Sequence, residues 1–231
     1  MTVAFIRFGR AGVSCAAMSE ILRTVLPSTV TWVETRDDRG VTELFPEEAA
    51  VVAQAVAKRR AEFATVRWCA RTALARLGVA AAPILPGQRG APGWPDGIVG
   101  SMTHCDGYRA AAVARRGEVS ALGVDAEPAA PLPDGVFEAI ARPAEAEMVS
   151  KLSVRSPDVH WDRLLFSAKE SVYKTWFPVA GVFLEFEEAE LVFDPAAGTF
   201  RARLLVPGPW PELSGRWAQT GGLVVTAIAL A

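Results

Sequence analysis

The stretch that most limits how this chain can fold is "WDRLLFSAKESVYKTWF", residues 161 to 177, because its helical wheel has two faces that both need covering. At about 100° per residue, Trp161, Leu164, Leu165, Ala168, Val172 and Trp176 fall in one apolar stripe, the side that faces a core. Glu170 and Lys174 fall opposite it, with Arg163 beside them and Phe166, Tyr173 and Phe177 as flanks. Taken alone, a Glu and a Lys four residues apart make an exposed ion pair worth about 0.3 to 0.5 kcal/mol. A solvated face rarely sets aromatic rings beside its charges, so this second face is expected to meet something.

The 231 residues fit one large domain or two small ones, and 51% hydrophobic with 22% charged residues describes an ordinary globule with material for a core. A net charge of −2 supplies no global basic field for nucleic acid, so an anionic ligand has to be held by local clusters. Cys15, Cys69 and Cys105 are odd in number, scattered and without metal-ligand spacing, which points to reduced thiols in a cytoplasmic protein. No apolar run reaches the roughly 18 to 20 residues of a membrane span, and no membrane partner is expected. The opening "MTVAFIRFGRAGVSCAAM" makes a poor signal peptide, and Met18 is an alternative start that would leave residues 1–17 as an extension.

Along the chain, "TVTWVE" (29 to 34) alternates like a strand. Residues 45–78 read as helix, with Pro46 in the first turn, Glu47 and Glu48 at the positive end and Gly78 as terminator; at over 30 residues they are expected to form two helices or one kinked helix. A Pro- and Gly-rich connection covers 83–97, and "IVGSMTH", "YRAAAVAR" and "EVSALGVDAE" follow as short strands. Helices are expected near 134–150 and at 160–177, then strands near 189–194, 200–206 and 222–230. Both halves thus run helix first and β-meander after, which predicts an α+β protein of two similar lobes, 1–118 and 119–231, with a ligand cleft between them.

Three groups of residues carry chemistry. In "GVDAE" the period of a strand puts Asp125 and Glu127 on one face about 6.6 Å apart, with Val124 and Ala126 turned to the core. Two such carboxylates repel unless a cation sits between them; as an isolated motif they read as a solvated strand end. With Glu170 they supply three hard oxygen donors without His or Cys, a set suited to Mg²⁺, which shares its coordination with waters and substrate phosphates. "AKRRAEFATVRWCAR" places Arg60, Arg67 and Arg71 within about 110° on a helix, next to Lys58 and Arg59. "SMTHCDG" ends a strand with Ser101, Thr103 and His104, whose hydroxyls and imidazole make a receptor for a phosphate monoester.

"KRRAEFATVR", "WPDGIVGSMTHCDG", "GVDAE" and "FSAKESVYK", in this order and spacing, resemble the 4′-phosphopantetheinyl transferases of the monomeric, two-lobed kind that serves siderophore, polyketide and lipid synthases. The similarity runs from about residue 44 to about residue 190. It implies two halves related by a pseudo-twofold, with coenzyme A in the groove between them. The implied activity is transfer of the phosphopantetheine arm of coenzyme A to a serine of an apo acyl or peptidyl carrier protein, leaving 3′,5′-ADP.

Matched by position, Asp125, Glu127 and Glu170 become ligands of Mg²⁺, with Mn²⁺ a substitute, and Glu170 and Lys174 become catalytic. Arg59, Arg67, Thr103, His104, Asp125, Lys169 and Lys174 become coenzyme A contacts, Thr103 and His104 at the 3′-phosphate. Phe166 stands where many relatives have Trp. Pro86 of "ILPGQRG" stands where close relatives carry a nucleotide-binding lysine, a place for which Arg89 is the candidate replacement. The apolar run "WFPVAGVFLEFEE" (176 to 188) reads equally as core and, through Val179, Val182, Phe183 and Leu184, as a carrier dock. The rival readings are a Mg²⁺-dependent nucleotide phosphohydrolase and a non-catalytic binder of coenzyme A or carrier protein.

Overall fold

The computed structural model describes residues 20–38 and 44–231; the expected extension over residues 1–17, with Cys15, lies outside the described residues. The first lobe begins with β1 (Thr31–Thr35), followed by α1 (Pro46–Val51) and α2 (Ala57–Arg76). The long helical segment is therefore two helices, the first opened by Pro46 and by Glu48, whose carboxylate accepts the Phe45 N–H at 3.0 Å. β2 (Ile98–Cys105) and β3 (Tyr108–Arg115) form a hairpin through Asp106 and Gly107, and with β1 they make an antiparallel sheet in the order β1-β3-β2.

The run Ala110 to Ala114 in β3 is fully buried on both faces. Ala111 and Val113 pack with Cys69, Ala70, Ala73 and Leu74 of α2, whereas Ala110, Ala112 and Ala114 pack on the other side with Leu122, Val124 and Val225. Small side chains let a helix approach one face and the second lobe the other.

The second lobe comprises β4 (Ala121–Pro128), α3 (Val136–Ile140), α4 (Pro143–Arg155), α5 (Trp161–Ala180), β5 (Ala189–Asp194), β6 (Thr199–Leu204), β7 (Glu212–Thr220) and β8 (Leu223–Leu230). Its sheet runs β4-β8-β7-β6-β5, all neighbours antiparallel. The six residues of the α5 stripe are all at most 1% exposed and sit in the core over this sheet. α5 runs three residues past the expected end at 177, through Pro178, whose fixed φ suits a helix and removes one hydrogen bond only; it closes at Gly181, with φ +66°.

The chain is thus an α+β protein of two lobes, but neither lobe runs helix first. Each unit opens on a strand: β1, α2 and the β2–β3 hairpin in the first; β4, α5 and the β7–β8 hairpin in the second. The sheet orders β1-β3-β2 and β4-β8-β7 correspond, and the β5–β6 hairpin is added at one edge.

The lobes join where β2 lies along β4. There Val124 N–H donates to Ser101 Oγ at 3.0 Å and Ala126 N–H donates to Thr103 Oγ1 at 3.1 Å, so side-chain hydroxyls of one strand satisfy the backbone of the other. α5 presses on β4 at Gly123, where a Cβ would stand 2.3 Å from the Ser171 carbonyl oxygen. That close approach sets Glu170 and Lys174 beside the carboxylates of β4.

Candidate active site

A cleft of about 650 Å³ opens at the lobe junction. α2 contributes Arg59, Phe63 and Arg67 to its wall, the 83–97 connection Pro86 and Arg89, β2 Ser101, Thr103 and His104, β4 Asp125 and Glu127, and α5 Phe166, Glu170, Tyr173, Lys174 and Phe177. The charged and aromatic face of α5 therefore meets a cavity. Motifs 110 residues apart converge because β2 and β4 are neighbours.

At the acidic end Asp125 is 3% exposed, and its Oδ1 accepts from Lys174 Nζ at 2.7 Å and Thr103 Oγ1 at 3.2 Å. Its Oδ2 is buried without a partner. Lys174 thus bonds across to β4. Burial alone would lower its pKa, but Asp125, Glu170 and Glu127 outweigh that and the ammonium is held above its usual range.

Glu127 is bonded to Arg163 at 3.1 Å, and Arg163 is itself anchored on the carbonyls of Ala130 and Pro131. Burial first, then the charge of Asp125, push the Glu127 carboxyl up to about 7 despite Arg163. Burial likewise raises Glu170, with Lys174 opposing and Asp125 adding. Among the described residues, no three acidic, histidine or cysteine side chains are arranged to hold a metal ion by themselves. The donor set nevertheless fits a hard divalent cation: a buried carboxylate oxygen lacks a partner, and two further carboxyls are disfavoured as anions until positive charge arrives.

At the basic end Arg59 touches the His104 ring through its guanidinium, and the imidazole is shifted down by burial and then by Arg59. Arg67 is 5% exposed, donates to the Ile84 carbonyl at 2.9 Å and lies 3.2 Å above the Phe63 ring, with Glu48 3.7 Å away. Burial brings it down to about 10, so it stays charged at neutral pH.

Three expectations change. Lys169 does not line the cleft: it is 3% exposed, and its ammonium is spent on Glu145 at 2.9 Å and the carbonyls of Phe186 and Ala189 at 2.6 and 2.8 Å. On a helix, one residue before Glu170 is about 100° away from it, which turns Lys169 out of the site. Thr103 faces the cleft, but its hydroxyl is committed to Ala126 and Asp125, which makes it a holder of the carboxylate. Arg60 and Arg71 are absent from the cleft wall; Arg71 grips both oxygens of the buried Glu48 at 2.8 and 2.9 Å.

Aromatic rings cluster at the C-terminal end of α5 and just beyond it. Tyr173 stacks on Phe177 at 5.5 Å and meets Phe183 edge-on at 5.2 Å, and the Arg89 guanidinium lies 4.6 Å over Phe183. Arg89 itself has φ +51°, the left-handed region a non-glycine residue enters at a cost. Val179, Val182 and Phe183 are exposed, whereas Leu184 is buried in the second-lobe core, so the run after α5 divides between the two readings given above.

A two-lobed α+β fold with a basic wall from one lobe and carboxylates plus a lysine from the other defines a protein built to hold a polyanion across its lobe junction. Family models match about three quarters of the chain: the 4′-phosphopantetheinyl transferase N-terminal domain over residues 47–114 and the 4′-phosphopantetheinyl transferase superfamily over 121–227. The chain is 62% identical over 200 residues to the 4′-phosphopantetheinyl transferase Svp of Streptomyces mobaraensis, covering 84% of this chain and 81% of that one. It is 49% identical over 226 residues to the transferase PptT of Mycobacterium tuberculosis (91% and 98% covered) and 44% over 225 to Npt of Nocardia iowensis (91% and 100%). This chain belongs to the 4′-phosphopantetheinyl transferases, enzymes that move phosphopantetheine from coenzyme A to carrier proteins.

Proposed function

We propose that the lobe-junction cleft is where this transferase binds coenzyme A and modifies the carrier serine, with Glu170 and Lys174 as its catalytic pair. The observation that carries the reading is the convergence of Arg59, Arg67 and His104 from the first lobe with Asp125, Glu127, Glu170 and Lys174 from the second around one cavity. Arg59 and His104 receive the 3′-phosphate, Arg67 adds charge deeper in the wall, and Arg89 reaches the nucleotide end from the rim. Asp125 through its free Oδ2, together with Glu127 and Glu170, would hold Mg²⁺, or Mn²⁺ in its place. The bound ion supplies neutralisation of the diphosphate charge.

In the displacement, the serine oxygen forms a bond to the phosphorus that carries the pantetheine arm, and the bond from that phosphorus to the bridging oxygen breaks. The serine proton passes to Glu170, directly or through water, and 3′,5′-ADP leaves. Burial raises the Glu170 carboxyl above its ordinary range, which makes it a stronger proton acceptor. Lys174, fixed by Asp125, faces the departing phosphate and stabilises it. The exposed Val179, Val182 and Phe183 offer an apolar landing for a carrier helix.

In the same reading the lobes divide near residue 119, and the enzyme works as a cytoplasmic monomer without nucleic-acid or membrane partners. The Cys105 thiol, free among the described residues, supports the reducing compartment. Among the described residues no helix is long and apolar enough to cross a membrane.

Mass spectrometry tests the reading. Incubation with coenzyme A, Mg²⁺ and an apo carrier protein adds one phosphopantetheine to a serine, and Glu170→Gln lowers kcat by about a hundredfold or more while coenzyme A still binds. Release of nucleotide product without a carrier would favour the hydrolase instead, and undiminished turnover of E170Q would remove Glu170 from the mechanism.

A further inference from the structure

We propose that Glu62 is the positioning residue that makes this enzyme distinguish coenzyme A from its dephospho form. The inference rests on the reading that Arg59 and His104 receive the 3′-phosphate. Glu62 stands on α2 just behind that pair and is not part of the cleft wall. Its Oε2 lies 3.8 Å from the Arg59 guanidinium and 3.9 Å from His104 Nε2, and its Oε1 lies 3.4 Å from Arg109.

Arg109 explains why the carboxylate cannot swing away. Its guanidinium is 5% exposed and gripped by Asp38 and by the carbonyls of Cys105 and Tyr108, which belong to the turn following His104. One oxygen of Glu62 is therefore tied to a fixed buried cation, and the other is aimed at the gap between Arg59 and His104.

Physical need supports the assignment. Arg59 and His104 come from different elements, and burial and Arg59 together drive the imidazole toward its neutral form. Without a carboxylate behind them, a guanidinium and an imidazole in contact separate into solvent: the Arg59 side chain is half exposed and that of His104 is 40% exposed. Glu62 supplies the charge that keeps both in one place before the phosphate arrives, so less ordering remains to be done on binding. Asp106 is the next carboxylate along the turn, but it is engaged by Lys58 at 3.2 Å and both are exposed.

The test measures steady-state KM and kcat for coenzyme A and dephospho-coenzyme A with a fixed apo carrier, using the full chain, for the parent and for Glu62→Gln, Glu62→Asp and His104→Ala. Glu62→Gln keeps the shape and removes the charge, and the expected result is a KM for coenzyme A raised about fivefold, with the ratio of dephospho-coenzyme A to coenzyme A KM falling by the same factor. Glu62→Asp, which keeps the charge on a shorter arm, recovers part of that ratio. A merely structural role would move both substrates together, and the inference then fails. If His104→Ala narrows the ratio and E62Q does not, Glu62 is excluded while the 3′-phosphate site stands. If His104→Ala moves both substrates equally, the 3′-phosphate reading falls and the role of Glu62 falls with it.

Discussion

Replacing Thr103 by Val tests whether the lobe junction and the active site share one hydroxyl. The side chain is 4% exposed, and its Oγ1 both accepts from Ala126 N–H and donates to Asp125 Oδ1. Valine fills nearly the same volume and removes both bonds. The stranded backbone N–H costs about 1 to 3 kcal/mol, and the lost bond to a carboxylate about 1.5 to 3 more, for a total of about 2.5 to 6 kcal/mol. In a chain of this size that corresponds to a Tm fall on the order of 10 °C.

Ser101 provides the matched comparison. Its Oγ accepts from Val124 N–H one step along the same seam, so Ser101→Ala should cost only the first of those amounts, roughly 5 °C. Thr103→Ser restores the hydroxyl and loses a methyl, worth about 0.8 kcal/mol. Calorimetric unfolding of the three variants, alongside initial rates of carrier modification, should rank T103S, S101A and T103V in order of increasing damage. T103V should also weaken divalent-cation binding by titration calorimetry, because Asp125 loses one of the two donors that fix it. A T103V protein as stable as S101A, or one with undiminished cation affinity, would refute the double role.

Lys169→Met breaks a pair in which Glu145 also accepts from the backbone N–H groups of Arg142 and Leu191, so stability should fall by about 3 to 5 kcal/mol in a denaturant titration. Its KM for coenzyme A should stay within about twofold, and a larger rise would return Lys169 to the site. Gly123→Ala should force α5 from β4, costing about 1 to 3 kcal/mol and lowering kcat more than coenzyme A affinity; an unaltered kcat would show that the close approach does not position Glu170 and Lys174.

What could be read in the sequence was what depends on near neighbours. The six-residue stripe of α5 and the alternation of β4 are local periodicities, and each appears in the fold; of the two forms left open for residues 45–78, two helices or one kinked helix, the fold has two helices. What could not be read depends on which distant strand lies alongside. That Lys174 bonds Asp125, and that Thr103 spends its hydroxyl on Ala126, follow only once β2 is known to lie along β4. β7 was missed because "ELSGRWAQT" buries Leu213 and Gly215 on its inner side, and a glycine carries no apolar signal. Arg67 and Arg71 share a helical face, yet the buried Glu48 claims Arg71 and leaves Arg67 nearer the cleft. Glu62 is one of 26 acidic residues, and nothing in its local sequence separates it from a solvated helix position.

The two strand–helix–hairpin units explain why one cleft can handle a substrate with unlike ends. In each, the long helix packs its apolar side on its own sheet and turns a second side toward the junction. α2 was given arginines on that side, and α5 a carboxylate and a lysine next to the acidic β4. In the proposed binding mode, phosphate charge at the nucleotide end of coenzyme A would meet guanidinium groups fixed in the first lobe, and the reacting diphosphate would meet groups of the second. The seam hydroxyls of Ser101 and Thr103 tie those two walls together through buried hydrogen bonds, so the spacing between the anchoring and the reacting ends is set by the joint between lobes and not by a loop.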